Sequence, residues 1–105
     1  MKRALQAILI AGEEAMHGVI NGTKKITIRK GYRDYTKGPV MIGCHLLNWV
    51  KMFEITDVKH TTLEYISPDD LKADGFKDSL EALTELRKYY PNLERNSRIT
   101  IIRWK

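Results

Sequence analysis

The side chains best placed to do chemistry lie together in Asn21-Gly22-Thr23-Lys24-Lys25-Ile26-Thr27-Ile28-Arg29. Successive side chains of an extended strand point to opposite faces, so Ile26 and Ile28 would share one face and Lys25, Thr27 and Arg29 the other. The pattern predicts a strand that presents a hydroxyl between two cations. Basic residues continue beyond it as Lys30, Arg33 and Lys37, opposed only by Asp34, with Tyr32 and Tyr35 interleaved. Cations neutralise phosphates and tyrosine rings stack on unpaired bases. Lys25, Lys30, Tyr32, Arg33 and Lys37 are therefore the candidate contacts for single-stranded RNA.

Other chemistries find no support. The sequence has no P-loop, dinucleotide fingerprint, His-Glu-x-x-His helix or paired-cysteine motif. Its one cysteine, Cys44, cannot form an internal disulfide, and with His17, His45 and His60 widely separated it cannot build a zinc site. We expect no metal and no cofactor, and a reducing cytoplasm. Cys44 and His45 are neighbours on an expected strand and would point apart, which argues against a nucleophile and base pair. His17 belongs to a helix beside the candidate site.

The elements that must position these residues can be read in order. Ala4 to Ile10 is expected to be a strand ending near Ile10. Ala15, Met16, Val19 and Ile20 recur at helical spacing, acidic residues open that run, and Asn21-Gly22 stops it. Gly31 to Pro39 reads as a loop. Val40 to Ile42 and Leu46 to Val58 look like strands, the second long enough to bend or to contain a turn around Asn48, and β-type residues continue from Val58 to Ile66. Ser67 and Pro68 suit the N-cap and first position of a short helix that Asp74-Gly75 breaks. Asp78-Ser79 caps a further helix with a stripe of Leu80, Leu83, Leu86, Tyr89 and Tyr90, ended by Pro91. Ile99 to Trp104 is a last strand, expected to close the sheet against the first strand or its neighbours. The sum is an α+β domain: a small, mostly antiparallel sheet or barrel with two or three flanking helices.

Composition sets the outer bounds. The 105 residues, 43% hydrophobic and 30% charged, suffice for one core and one domain. No run of about 18 apolar residues exists for a membrane span, and the basic start (Lys2, Arg3) runs into Glu13 and Glu14 too soon for a targeting segment. Eighteen Lys and Arg against thirteen Asp and Glu leave +5, which favours a polyanionic partner. The basic Lys24 to Lys37 stretch and the acidic Ser67 to Glu85 stretch predict a bipolar molecule.

Gly22, Lys24, Thr27 and Arg29 resemble the ASCH family of PUA-like domains, whose first helix runs into a Gly-x-Lys-x-x-Thr-x-Arg-type turn and strand. The Lys37-Gly38 turn, Asp74-Gly75-Phe76, Tyr90-Pro91 and a closing strand follow in the family's order. The resemblance thus covers nearly the whole chain and implies a PUA-like β-barrel. Length and layout are similar to those of the small bacterial N4-acetylcytidine amidohydrolases of that family, which pair a lysine, a threonine and a glutamate. Carried over, the lysine is Lys24, the threonine Thr27, and the glutamate falls on or near Asp74, one methylene shorter. Metal-free amide hydrolysis needs a nucleophile, a base and a donor for the leaving nitrogen. On the chemistry of these residues Thr27 is the expected nucleophile, Lys24 its base, Asp74 the group orienting the lysine or the exocyclic amine and Arg29 the one offsetting developing charge, while either Phe76 or Trp49 could wall a base pocket by stacking.

Each residue also has a plain explanation. Threonine suits strands, lysine anchors phosphates, an arginine protects a sheet edge, Asp-Gly ends helices, and Phe76 and Trp49 suit a core. Three functions follow: a domain that binds a modified pyrimidine nucleoside or RNA and hydrolyses the N4-acyl amide of N4-acetylcytidine; a non-catalytic RNA-binding module in which Lys24, Arg29 and the Arg33 to Lys37 loop hold phosphates; or a small inhibitor or adaptor that grips an acidic protein surface.

Overall fold

The structure is a computed structural model that describes residues 6–44 and 48–105. In chain order its elements are β1 (Gln6–Leu9), α1 (Glu13–Asn21), β2 (Ile26–Lys30), β3 (Gly38–Cys44), β4 (Trp49–Thr62), a 3-10 turn (Leu63–Tyr65), α2 (Pro68–Ala73), α3 (Ser79–Leu86) and β5 (Arg98–Trp104). The five strands form one sheet in the order β1-β3-β4-β5-β2, with β1 parallel to β3 and the other pairs antiparallel.

The expected caps form. Gly22 adopts the left-handed φ of 84° that ends α1, the Asp70 amide donates to Ser67 Oγ at 3.1 Å, and the Glu81 amide donates to Asp78 Oδ1 at 2.8 Å. The turn anticipated around Asn48 forms just before β4, and the strand also bends farther on, at Thr56. Trp49 to Ile55 pairs with β3, Ile55 to Thr62 pairs with β5, and the register shifts between Ile55 and Asp57. The bulge adds twist, so one strand serves both halves of a curled half-barrel. Asn48, at φ 46°, belongs to the turn before β4. His45, Leu46 and Leu47, and Ala4 and Leu5 of the first expected strand, lie outside the described residues.

The last strand does not meet the first. β5 lies between β4 and β2, and its two faces feed two cores. Ile99 and Ile101 pack with Ile26, Ile28, Leu63, Leu71, Leu83, Leu86 and Leu93 beneath α2 and α3. Ile102 and Trp104 pack with Ile8, Met16, Val19, Val40, Ile42 and Ile55 beneath α1. A strand buried on both sides needs apolar residues on both faces, which Ile99, Ile101, Ile102 and Trp104 supply around Thr100 and Arg103. β1 and β2 are thus the sheet's two edges. Side chains seal the β1 edge: Arg29 Nη2 donates to the Leu9 carbonyl at 2.9 Å and the Tyr35 hydroxyl to the Ala7 carbonyl at 2.7 Å.

The expected apolar stripe is corrected in α3. This helix ends at Leu86 and buries Ala82, Leu83 and Leu86, while Leu80 is 69% exposed. Its last turn tightens, with the Tyr89 and Tyr90 amides both donating to the Leu86 carbonyl, at 3.0 and 2.9 Å. That turn takes the two tyrosines off the helix axis before Pro91 is reached.

Candidate functional site

A cavity of about 750 Å³ opens where the two sheet edges approach one another, walled by the β1–α1 loop, β2, the end of α2 and the turn after α3. Lys24, Thr27, Arg29, Asp74 and Phe76 all line it. Its size falls within the range of small-molecule sites.

Lys24 is set by the turn that leaves α1. The Thr23 amide and hydroxyl donate to Asn21 Oδ1, at 3.1 and 2.7 Å, and the Lys24 amide donates to the Gly18 carbonyl at 2.9 Å. A Cβ on Gly18 would lie 3.0 Å from the Lys24 Cβ, so a bare Gly18 allows this close approach. Thr27 follows on β2, opposite Ile102 of β5. It is 7% exposed and lines the cavity, so what reaches its hydroxyl comes through the cavity. Arg29, two residues on, turns its guanidinium to Leu9 and bridges the gap between β1 and β2. The expected alternation therefore holds for Thr27 and Arg29. Lys25 precedes the strand, is exposed and lies outside the cavity, while Lys24 lines it.

Asp74 caps the C-terminus of α2, and Gly75 at φ 90° reverses the chain so that the Phe76 amide donates to the Leu71 carbonyl at 2.8 Å. This places Phe76 half-buried beside the α2–α3 core. Lys24 Nζ donates to Asp74 Oδ1 in an ion pair whose side chains are 18% and 6% exposed. Burial pushes the Asp74 carboxyl above the ordinary carboxylate range, against the opposing pull of the Lys24 and Arg29 charges. Asp-Gly thus ends a helix and also delivers a buried acid to the cavity.

Glu14, Glu85, Tyr89 and Tyr90 line the cavity as well and were not anticipated. Glu14 reads in sequence as an acid in a first helical turn, and the tyrosines as part of a helical stripe; only the turn after Leu86 separates them from it. Trp49 is not a wall of this cavity, since it packs in the α1-side core against Phe53 with ring centroids 6.3 Å apart. His17 is exposed and faces Glu13 at 3.7 Å.

The basic loop forms a separate surface. Lys30, Tyr32, Arg33 and Lys37, like Lys25, do not line the cavity. The Tyr32 ring already stacks on His60, centroids 5.0 Å apart, and carries the Arg98 guanidinium at 5.3 Å. The Arg33 amide donates to Thr100 Oγ1 at 2.9 Å and its Nε to the Lys30 carbonyl at 3.0 Å. Thr100 Oγ1 donates in turn to the Gly31 carbonyl at 2.7 Å, so the loop is stitched to β5. Among the described residues no helix is long and apolar enough to cross a membrane, and no cluster of His, Cys, Asp and Glu has metal-binding geometry.

No protein-family model matches the sequence, and no curated protein matches it significantly. Solved structures do resemble it. The ASCH domain of Lactobacillus crispatus JV V101 superposes with a TM-score of 0.68 at 13% identity, over 97% of this chain and 79% of that one. A DUF984 protein of Enterococcus faecalis V583 superposes with a TM-score of 0.71, also at 13% identity, over 100% of this chain and 82% of that one. At such identity the likeness is one of fold: a half-barrel mixed sheet with three helices, the ASCH-type α+β architecture.

Proposed function

We propose that this chain of ASCH fold binds a modified pyrimidine nucleoside in the cavity and hydrolyses the N4-acyl amide of N4-acetylcytidine to cytidine and acetate. One observation carries the reading: a threonine hydroxyl, a buried lysine–carboxylate pair, an arginine and an aromatic ring line a single cavity. Structural uses of these residue types explain each one separately; they do not require all five to converge on one concavity.

The chemistry uses the pair as a proton store. Lys24 can take a proton from Thr27 only after releasing one, and the Asp74 carboxyl, raised by burial, faces it as the acceptor. Thr27 Oγ1 then adds to the acetyl carbonyl carbon as its proton passes to Lys24 Nζ. Arg29 sits where it can offset the charge growing on the carbonyl oxygen. The carbon–N4 bond breaks as Lys24 returns the proton to the leaving nitrogen, giving cytidine and an acetyl ester on Thr27. Water adds to that ester with the same lysine as base, and acetate leaves as the threonine hydroxyl is restored. Phe76, with Tyr89 and Tyr90, supplies apolar surface against the base.

The experiment is direct. Purified protein incubated with N4-acetylcytidine is expected to release cytidine and acetate in equal amounts, and Thr27→Ala is expected to stop release while keeping the fold. Absence of acetate from the wild-type protein overturns the reading.

A further inference from the structure

The two members of the Lys24–Asp74 pair come from segments 50 residues apart, and one end of β5 holds both. On the lysine side, Arg103 lies opposite Ile26 in the β2–β5 ladder and the Trp104 amide donates to the Lys25 carbonyl at 3.0 Å. This ties the residue after Lys24 to β5. On the acid side, the Arg103 guanidinium grips Asp70 of α2, with Nε at 3.1 Å from Oδ1 and Nη2 donating to the same oxygen. Asp70 also receives Lys59 Nζ on Oδ2 at 3.3 Å and is 3% exposed. One helical turn later, the Asp74 amide donates to the Asp70 carbonyl at 3.2 Å. A six-residue helix has little grip of its own, and Asp70 and Leu71 are the residues α2 buries.

We propose that Asp70 and Arg103 are positioning residues for the cavity: their ion pair sets the rotation and height of α2 on β5, and so sets where the Asp74 carboxyl meets Lys24. Neither Asp70 nor Arg103 lines the cavity. Their influence runs through one backbone hydrogen bond and one strand pairing. The inference rests on the functional reading above only for its kinetic consequence, since the geometry of the Lys24–Asp74 pair can be followed without any substrate.

The test uses Arg103→Gln, which removes the guanidinium but leaves Lys59 to pair with Asp70, together with the isosteric Asp70→Asn. The Asp74 carboxyl is followed by carbon NMR titration in the whole protein, and acetate release is followed by kinetics. The expected result is a folded Arg103→Gln protein whose Asp74 midpoint is displaced from the wild-type value. Its kcat should fall about 10- to 100-fold with little change in KM, as suits a misplaced reacting group. Should Asp70→Asn fail to fold, Arg103→Gln carries the measurement alone. An Asp74 midpoint unchanged from wild type in folded variants overturns the inference. Failure of the wild-type protein to release acetate would overturn the amidohydrolase reading instead, and the midpoint would still report on positioning.

Discussion

Asp70 in the first turn of α2 and Asp74 at its C-cap stand four residues apart, both side chains nearly closed to solvent and both paired with cations, yet their carboxyls are driven in opposite directions. At Asp70 burial would raise the carboxyl, but hydrogen bonds from Arg103, Lys59 and Ser67 outweigh it and hold the group below its ordinary range. At Asp74 burial prevails over the hydrogen bond and charge of Lys24, its one side-chain donor among the described residues, and over the charge of Arg29. Burial and donors therefore act against each other at both carboxyls, and the balance between them sets the direction of each. A carboxylate with several donors and lighter desolvation is held ionised, while one deeply desolvated with few donors stays closer to exchanging a proton.

The largest expected effect separates the two acids by turnover. Asp74→Asn and Thr27→Ala should each cut acetate release by at least about 10³-fold, the scale of losing a member of a reacting unit, while Asp70→Asn should leave a reduced but measurable rate. Equal loss in the Asp70 and Asp74 variants would erase the distinction. Next in size is stability. Asp70→Asn leaves the half-buried Arg103 guanidinium without its carboxylate and should cost about 1–3 kcal/mol in urea unfolding. Asp74→Asn likewise leaves Lys24 without its carboxylate, offset in part by removing a charge that burial penalises, so its cost should be of the same order.

The pH dependences sharpen the contrast because their signs differ. Asp70 is depressed on folding, so its stabilisation is present above the ordinary carboxylate value near 3.8 and fades as pH falls through the lowered value. Asp74 is raised, so its contribution is full below 3.8 and is lost as pH rises through the raised value. Urea titrations of the two Asn variants across the acid range should therefore diverge from wild type in opposite senses. In the same way, kcat/KM should fall on the acid side at a pH above 3.8, as the Asp74 carboxyl takes a second proton into the pair. The smallest effect concerns the basic loop: Lys30→Gln with Lys37→Gln should leave nucleoside turnover unchanged, because neither side chain lines the cavity.

The site was legible as far as local rules reach. The Ile26, Thr27, Ile28 alternation, the Gly22 stop and the Ser67-Pro68 start each act within a few residues, and each forms as expected. Leu80 and Tyr89 show the limit. Helical periodicity puts both on the core stripe, but Leu80 in the first turn of α3 faces solvent, and the helix stops at Leu86, carrying Tyr89 to the cavity wall. Glu14 and Glu85 were missed for the same kind of reason, since an acid on a helix reads identically whether it faces water or a cavity.

What the chain determined by itself was its inventory: a hydroxyl on a strand flanked by cations, an acid before a glycine, caps, and an apolar last strand fit for burial on both faces. Tertiary structure alone decided which charges meet. The Lys24–Asp74 and Arg103–Asp70 pairs span 50 and 33 residues, and the strand that carries Arg103 lies between β4 and β2. Local propensity acts over a few residues, whereas the desolvation and donor count that separate a clamp from a reactive acid are properties of the assembled neighbourhood.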